Sequence, residues 1–135
     1  MSLIQEINEF SKNKLKRKED LELILNAASN DKKLFADLIF NAKYVMGLQR
    51  VLKQNTTNNE DAKFKVQQDY SSNLMKIIEQ LKIVANNFQQ KDKFFFEQNY
   101  LQLNHSSLNN LNELLSDLEW VKMYINDLKH RQDKN

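Results

Sequence analysis

The chain has no cysteine, no proline and a single glycine in 135 residues. Without cysteine there can be no disulfide scaffold, thiolate metal site, thiol redox chemistry or cysteine nucleophile. All-β sandwiches, barrels and parallel α/β folds need glycine or proline at their many turns. A chain with one of the first and none of the second is excluded from those classes. Long apolar runs are missing as well. The longest is three residues, as in Phe94-Phe95-Phe96, against the roughly 20 needed to span a bilayer. The opening MSLIQEINEF lacks a positive start, a continuous apolar stretch and a small-residue cleavage site, so no secretory signal is expected there. Together with the absent cysteines this points to a cytoplasmic protein with no membrane span.

What is present is leucine-rich and evenly charged. With 19 Leu, 8 Phe and 41% hydrophobic residues, the chain is too apolar to remain disordered. Its length suits one domain over residues 1–135, burying roughly two-thirds of the unfolded surface. Twenty cations face 18 anions, for a net charge of +2. Across residues 1–30, 31–60, 61–90 and 91–135 no block departs from neutrality by more than two charges. A nucleic-acid footprint is normally a basic face with few compensating acids, and that pattern is absent at this scale. Asn (18) and Gln (11) are abundant, notably in Asn86-Asn87-Phe88-Gln89-Gln90. An amide-rich interface would explain them, but the codon usage of an A+T-rich genome is the plainer reading.

Apolar spacing of three and four residues marks four helical stretches. The first, 2–28, opens on a capping box of Ser2 and Gln5. Its stripe of Leu3, Ile7, Phe10, Leu21, Ile24 and Ala28 is interrupted where Lys14 and Arg17 take apolar positions. The second, 30–53, follows Ser29-Asn30 as cap residues, with Asp31 in the first turn. Its stripe is Leu34, Leu38, Asn41, Val45, Leu48 and Leu52. A linker at 54–59 leads to a Thr57/Glu60 capping box and a third helix, 58–90, with Tyr70, Leu74, Ile77, Leu81, Val84 and Phe88 in line. The fourth, 92–131, carries Leu101, Leu108, Leu111, Leu115, Leu118 and Ile125, with a break expected at 104–107 where four cap-forming residues adjoin. The fold expected is all-α, a mainly antiparallel bundle of four helices, or five if the first or last is broken. The heptad spacing of Leu38, Val45 and Leu52 has a coiled-coil character.

Chemistry-bearing constellations are sparse. The two histidines, His105 and His130, lack the Glu-x-x-His pairs of di-metal bundles. Asp127 and His130 share a helix face but read as a surface ion pair. With Gly47 the sole glycine there is no phosphate-cradling loop. Neither an enzyme nor a metal or other cofactor is expected. Lys12, Lys14, Lys16, Arg17 and Lys18 form the one basic run, a candidate anion contact for nucleic acid. Acids flank it on both sides, and Lys16/Asp20 and Lys18/Glu22 stand at i,i+4 spacing, which suits a solvated, internally paired face.

Apolar residues off the main stripes point to a partner. On the second helix Ile39, Phe40, Met46 and Gly47 form a second apolar face, and an interior glycine costs about 1 kcal/mol relative to Ala. Phe94, Phe95 and Phe96 fan across roughly 200°, so they cannot share one core face; Tyr100 joins them. Trp120 and Tyr124 repeat the pattern. These ten residues either pack inside the bundle or meet another protein, and the expectation is a non-enzymatic interaction or structural module, self-associating, most simply as a dimer. A nucleic-acid accessory role through residues 12–18 is the alternative.

Overall fold

A computed structural model of the protein describes residues 17–28, 31–54 and 60–133, side chains excepted at 18 and 122–133. The described residues form an all-helical bundle: α1 (Lys18–Ala28), α2 (Lys32–Gln54), α3 (Glu60–Ala85), α4 (Gln90–Tyr100) and α5 (His105–Asp133). The capping boxes expected at Ser2/Gln5 and Thr57/Glu60 and the stripe Leu3–Phe10 involve residues outside this set.

The cap of α2 is Asp31 itself rather than the residues before it. Its Oδ1 accepts the backbone N–H of Leu34 at 3.0 Å, satisfying one of the donors a helix start leaves orphaned. From there α2 becomes the centre of the bundle, making its most extensive contacts with α3 and α5. Leu38, Ala42 and Val45 on α2 have no exposed surface. They meet Ile77, Leu81 and Val84 of α3 and Leu111, Leu114, Leu118 and Val121 of α5 in one continuous core. Each such aliphatic side chain contributes about 1.5–3 kcal/mol on burial. Asn41, on the stripe, donates its Nδ2 hydrogen to Gln80 Oε1 at 3.0 Å. The bond ties the middle of α2 to the last two turns of α3.

Two boundaries differ from the sequence expectation. The third helix stops at Ala85, not at 90. Asn87 and Phe88 donate to the carbonyls of Val84 and Ala85, an i→i−3 pattern that tightens and ends the helix. Phe88 still reaches the core, but from a turn: its ring meets Phe96 edge-on at 5.4 Å, and Phe96 meets Tyr100 at 4.7 Å. The break in the last region lies at 101–104, three residues before the expected 104–107. Asn104 is the cap, taking the Ser107 N–H on its Oδ1 at 2.9 Å, so His105, Ser106 and Ser107 are the first turn of α5. The Ser107 hydroxyl donates to the Gln102 carbonyl, closing the corner between α4 and α5.

Because Asn104 alone caps α5 through its side chain, Asn104→Ala is expected to lower unfolding free energy by about 1 kcal/mol. Urea melts of the two proteins at equal m-value would measure it.

Candidate functional site

The ten residues proposed from sequence as interface candidates divide sharply. Ile39, Met46, Phe96 and Tyr100 are buried within the chain, a correction to their reading as a partner surface. The reason is the position of α2: a helix packed against α3 on one flank and α5 on the other needs an apolar arc wider than a single stripe. Ile39 and Met46 supply that width. Of the phenylalanine triplet only Phe96 turns inward, while Phe94 and Phe95 remain 67% and 52% exposed. Trp120 is partly buried against the core. The side chain of Tyr124 lies outside the described residues.

Three large apolar side chains stay outside on α2, on one line with the half-buried Gly47. Phe40 is 60% exposed, Tyr44 44% and Val51 43%, with Gly47 between them. At 100° per residue these four fall within an arc of about 60° on the side opposite Leu38, Ala42 and Val45. Tyr44 and Val51 were missed from sequence. The signal that could have found them was the seven-residue step from Phe40 to Gly47, continued by a four-residue step after each. A Cβ added at Gly47 meets nothing within 4 Å, so nothing in the described fold requires glycine there. Phe64, Met75 and Ile83 on α3 are also exposed, but single apolar residues on a surface are ordinary.

The basic run does not form an open anion site where it can be described. Lys12, Lys14 and Lys16 and the side chain of Lys18 lie outside the described residues. Arg17 is engaged inside the chain, another correction. Its Nε donates to Glu113 Oε2 at 3.2 Å and its Nη2 to Asn110 Oδ1 at 2.6 Å, and its backbone N–H donates to Asp117 Oδ2 at 3.1 Å. Asn110 in turn donates to the carbonyl of Asn99. Three residues on, Asp20 accepts the hydroxyl of Tyr100. These bonds strap the start of α1 to α4 and α5.

This polar cluster is built for holding rather than for chemistry. Burial pushes the Tyr100 phenol well above its ordinary value near 10, and the hydrogen bond and charge of Asp20 push it further, against a smaller opposing effect of Arg17. A phenol shifted that way is a poorer acid near neutrality. Arg50 on α2 is likewise tied to Glu119 on α5, which raises its already high pKa. Among the described residues no group of three or more His, Asp or Glu is placed to hold a metal ion, and no helix is long and apolar enough to cross a membrane. His105 is exposed, 3.3 Å from the Asn109 amide.

No protein-family model, curated protein or solved structure matches this chain.

Two outcomes follow from these environments. Tyr100→Phe leaves Asp20 without its donor and is expected to cost about 1–3 kcal/mol at neutral pH. Since the folded-state pKa of Tyr100 is raised, the contribution of this group is complete below pH 10 and is lost as pH climbs above it. Melting temperatures from pH 8 to 11 should therefore fall less steeply for the variant. Gly47→Ala adds a methyl into open space and removes a helix-interior glycine, so thermal melts of dilute protein should shift up by about 3–5 °C, near 1 kcal/mol.

Proposed function

We propose that this protein is a non-enzymatic interaction module that docks apolar helix faces onto protein chains, in a structural or scaffolding role. The observation that carries the reading is the outer line of α2. Phe40, Tyr44 and Val51 stand exposed on a helix whose inner side is already filled by α3 and α5. A surface helix ordinarily presents charged and polar residues there. Phe94 and Phe95 on α4 add two more exposed rings, and desolvated aromatic side chains are the usual anchors of protein interfaces.

The absence of enzymatic activity is part of the same proposal. The polar groups held close together are committed to one another: Arg17 to Glu113 and Asn110, Tyr100 to Asp20, Arg50 to Glu119. No described feature favours the nucleic-acid alternative, since Arg17, the member of the basic run whose side chain is described, already has its partners.

Photo-crosslinking tests the reading. The full chain is produced with p-benzoylphenylalanine in place of Phe40, or of Phe94 in a second variant, and irradiated in the producing cells. The Phe40 variant is expected to form an adduct with a second protein chain, identifiable by mass spectrometry. Folded variants, by circular dichroism, that yield no adduct from either position overturn it.

A further inference from the structure

We propose that α1 is a releasable segment: it leaves the bundle as one unit, melting as it goes, while α2, α3 and α5 stay folded together, and the polar bonds of Arg17 are its latch. The inference concerns a different face of the molecule from the outer line of α2 and is independent of it. It is carried by where the first turn of α1 finds its hydrogen-bond partners.

Arg17 stands at the cap position of α1, since its carbonyl accepts the Leu21 N–H at 2.9 Å. Arginine has no side-chain acceptor with which to cap a helix. Three residues on, Asp20 holds the place from which an acid ordinarily reaches back to the N–H of the cap residue. Here its carboxylate accepts the Tyr100 hydroxyl instead. The Arg17 N–H donates to Asp117 on α5, and the guanidinium donates to Glu113 and Asn110. The start of α1 is therefore completed by α4 and α5. At the other end, its last turn carries no basic residue to complement the helix dipole.

A helix of 11 residues is marginal in water without tertiary support, and this one gives up the acceptor of its cap residue on leaving. Undocking and melting are thus a single event. The latch is accessible to water: the Arg17 and Glu113 side chains are 33% and 42% exposed, and such a pair is weak. α1 also meets α2, α3 and α5 less extensively than α2 meets α3 or α5. The seam of Leu38, Ala42 and Val45 with α3 and α5 needs nothing from α1 to persist. Release uncovers the fully buried Leu21, Ile24, Leu25 and Ala28 and the part of the common core they fill. It leaves an apolar seat with the Glu113 and Asp117 carboxylates at the end that Arg17 had occupied.

Native-state hydrogen exchange of the full chain, under conditions where the rate follows the opening equilibrium, tests the proposal. Relative to unstructured rates, the amides of residues 21–28 are expected to exchange at least about tenfold faster than those of 38–46 and 77–85. Equal protection of the three segments overturns the proposal. Two variants separate release of α1 from unfolding of the whole chain. Asn104→Ala removes the cap of α5, a bond kept when α1 leaves and lost when everything unfolds. It should speed exchange about fivefold in 38–46 and 77–85 and leave 21–28 unchanged. A parallel acceleration of 21–28 overturns the proposal. Arg17→Ala keeps the backbone bond to Asp117 but removes those to Glu113 and Asn110. With its circular dichroism spectrum preserved, it should raise exchange at 21–28 at least about threefold. Unchanged exchange there also overturns the proposal.

Discussion

The seam formed by Leu38, Ala42 and Val45 is the contact on which the other helices are arranged. All three are fully buried, and α2 meets both α3 and α5 along it. Ala42 in the middle of the seam is small enough to let neighbouring backbones approach, while the Asn41–Gln80 bond holds the register of α2 against α3. Since α2 touches two long helices and the other elements pack around them, a void there would loosen both packing faces at once, not one. Cavities of this kind are costly because close-packed neighbours relax only partly.

The polar strap has a different task. α1 is short, at 11 residues, and a helix of that length is marginal without tertiary support. Its inner residues Leu21, Ile24, Leu25 and Ala28 join the common core. Its first turn is held from a distance: Asp117 accepts the backbone N–H of Arg17, doing for the start of α1 what a local cap residue usually does. Tyr100 and Asp20 add a bond from α4. The buried side-chain polar atoms described all have partners, so the strap leaves no uncompensated group inside. Its ion pair, Arg17 with Glu113, is half-exposed and of small weight alone. Its value lies in directing where α1 docks.

Helix class and the inward stripes were legible in the sequence because each long helix buries mainly one face, and a one-sided burial leaves a spacing of three and four. Ile77, Leu81 and Val84 were found that way, as were Leu111, Leu115 and Leu118. Periodicity failed where two geometries place a residue against the same core. Phe88 continues the stripe of α3 in sequence, yet reaches the core from a turn, and only Asn86-Asn87 marks the change. Leu101 hid the corner between α4 and α5 for the same reason: buried in the bend, it continues the stripe as a helical residue would. The surface was harder. Ile39 and Met46 are apolar on a second face, but no single segment states that α3 and α5 would cover both flanks of α2. Arg17 stands 96 residues from Glu113 along the chain, and nothing near it announces the partner.

The placement of the exposed line on α2, rather than on a peripheral helix, has a consequence for how docking and folding are linked. A ligand that binds only the folded state stabilises it by an amount set by its concentration relative to the dissociation constant, about 2.7 kcal/mol at a hundredfold excess. On α1 such a contact would hold one short helix. On α2 it holds the element that carries Leu38, Ala42 and Val45, so the gain is shared by the packing of α3 and α5. Gly47 works in the opposite direction in the free chain, loosening the middle of the same helix by about 1 kcal/mol. Were a protein to dock on this line, as proposed, a central helix weakened at its midpoint when alone would be braced at that same point, and the stability of the whole bundle would respond to what lies on its outer face.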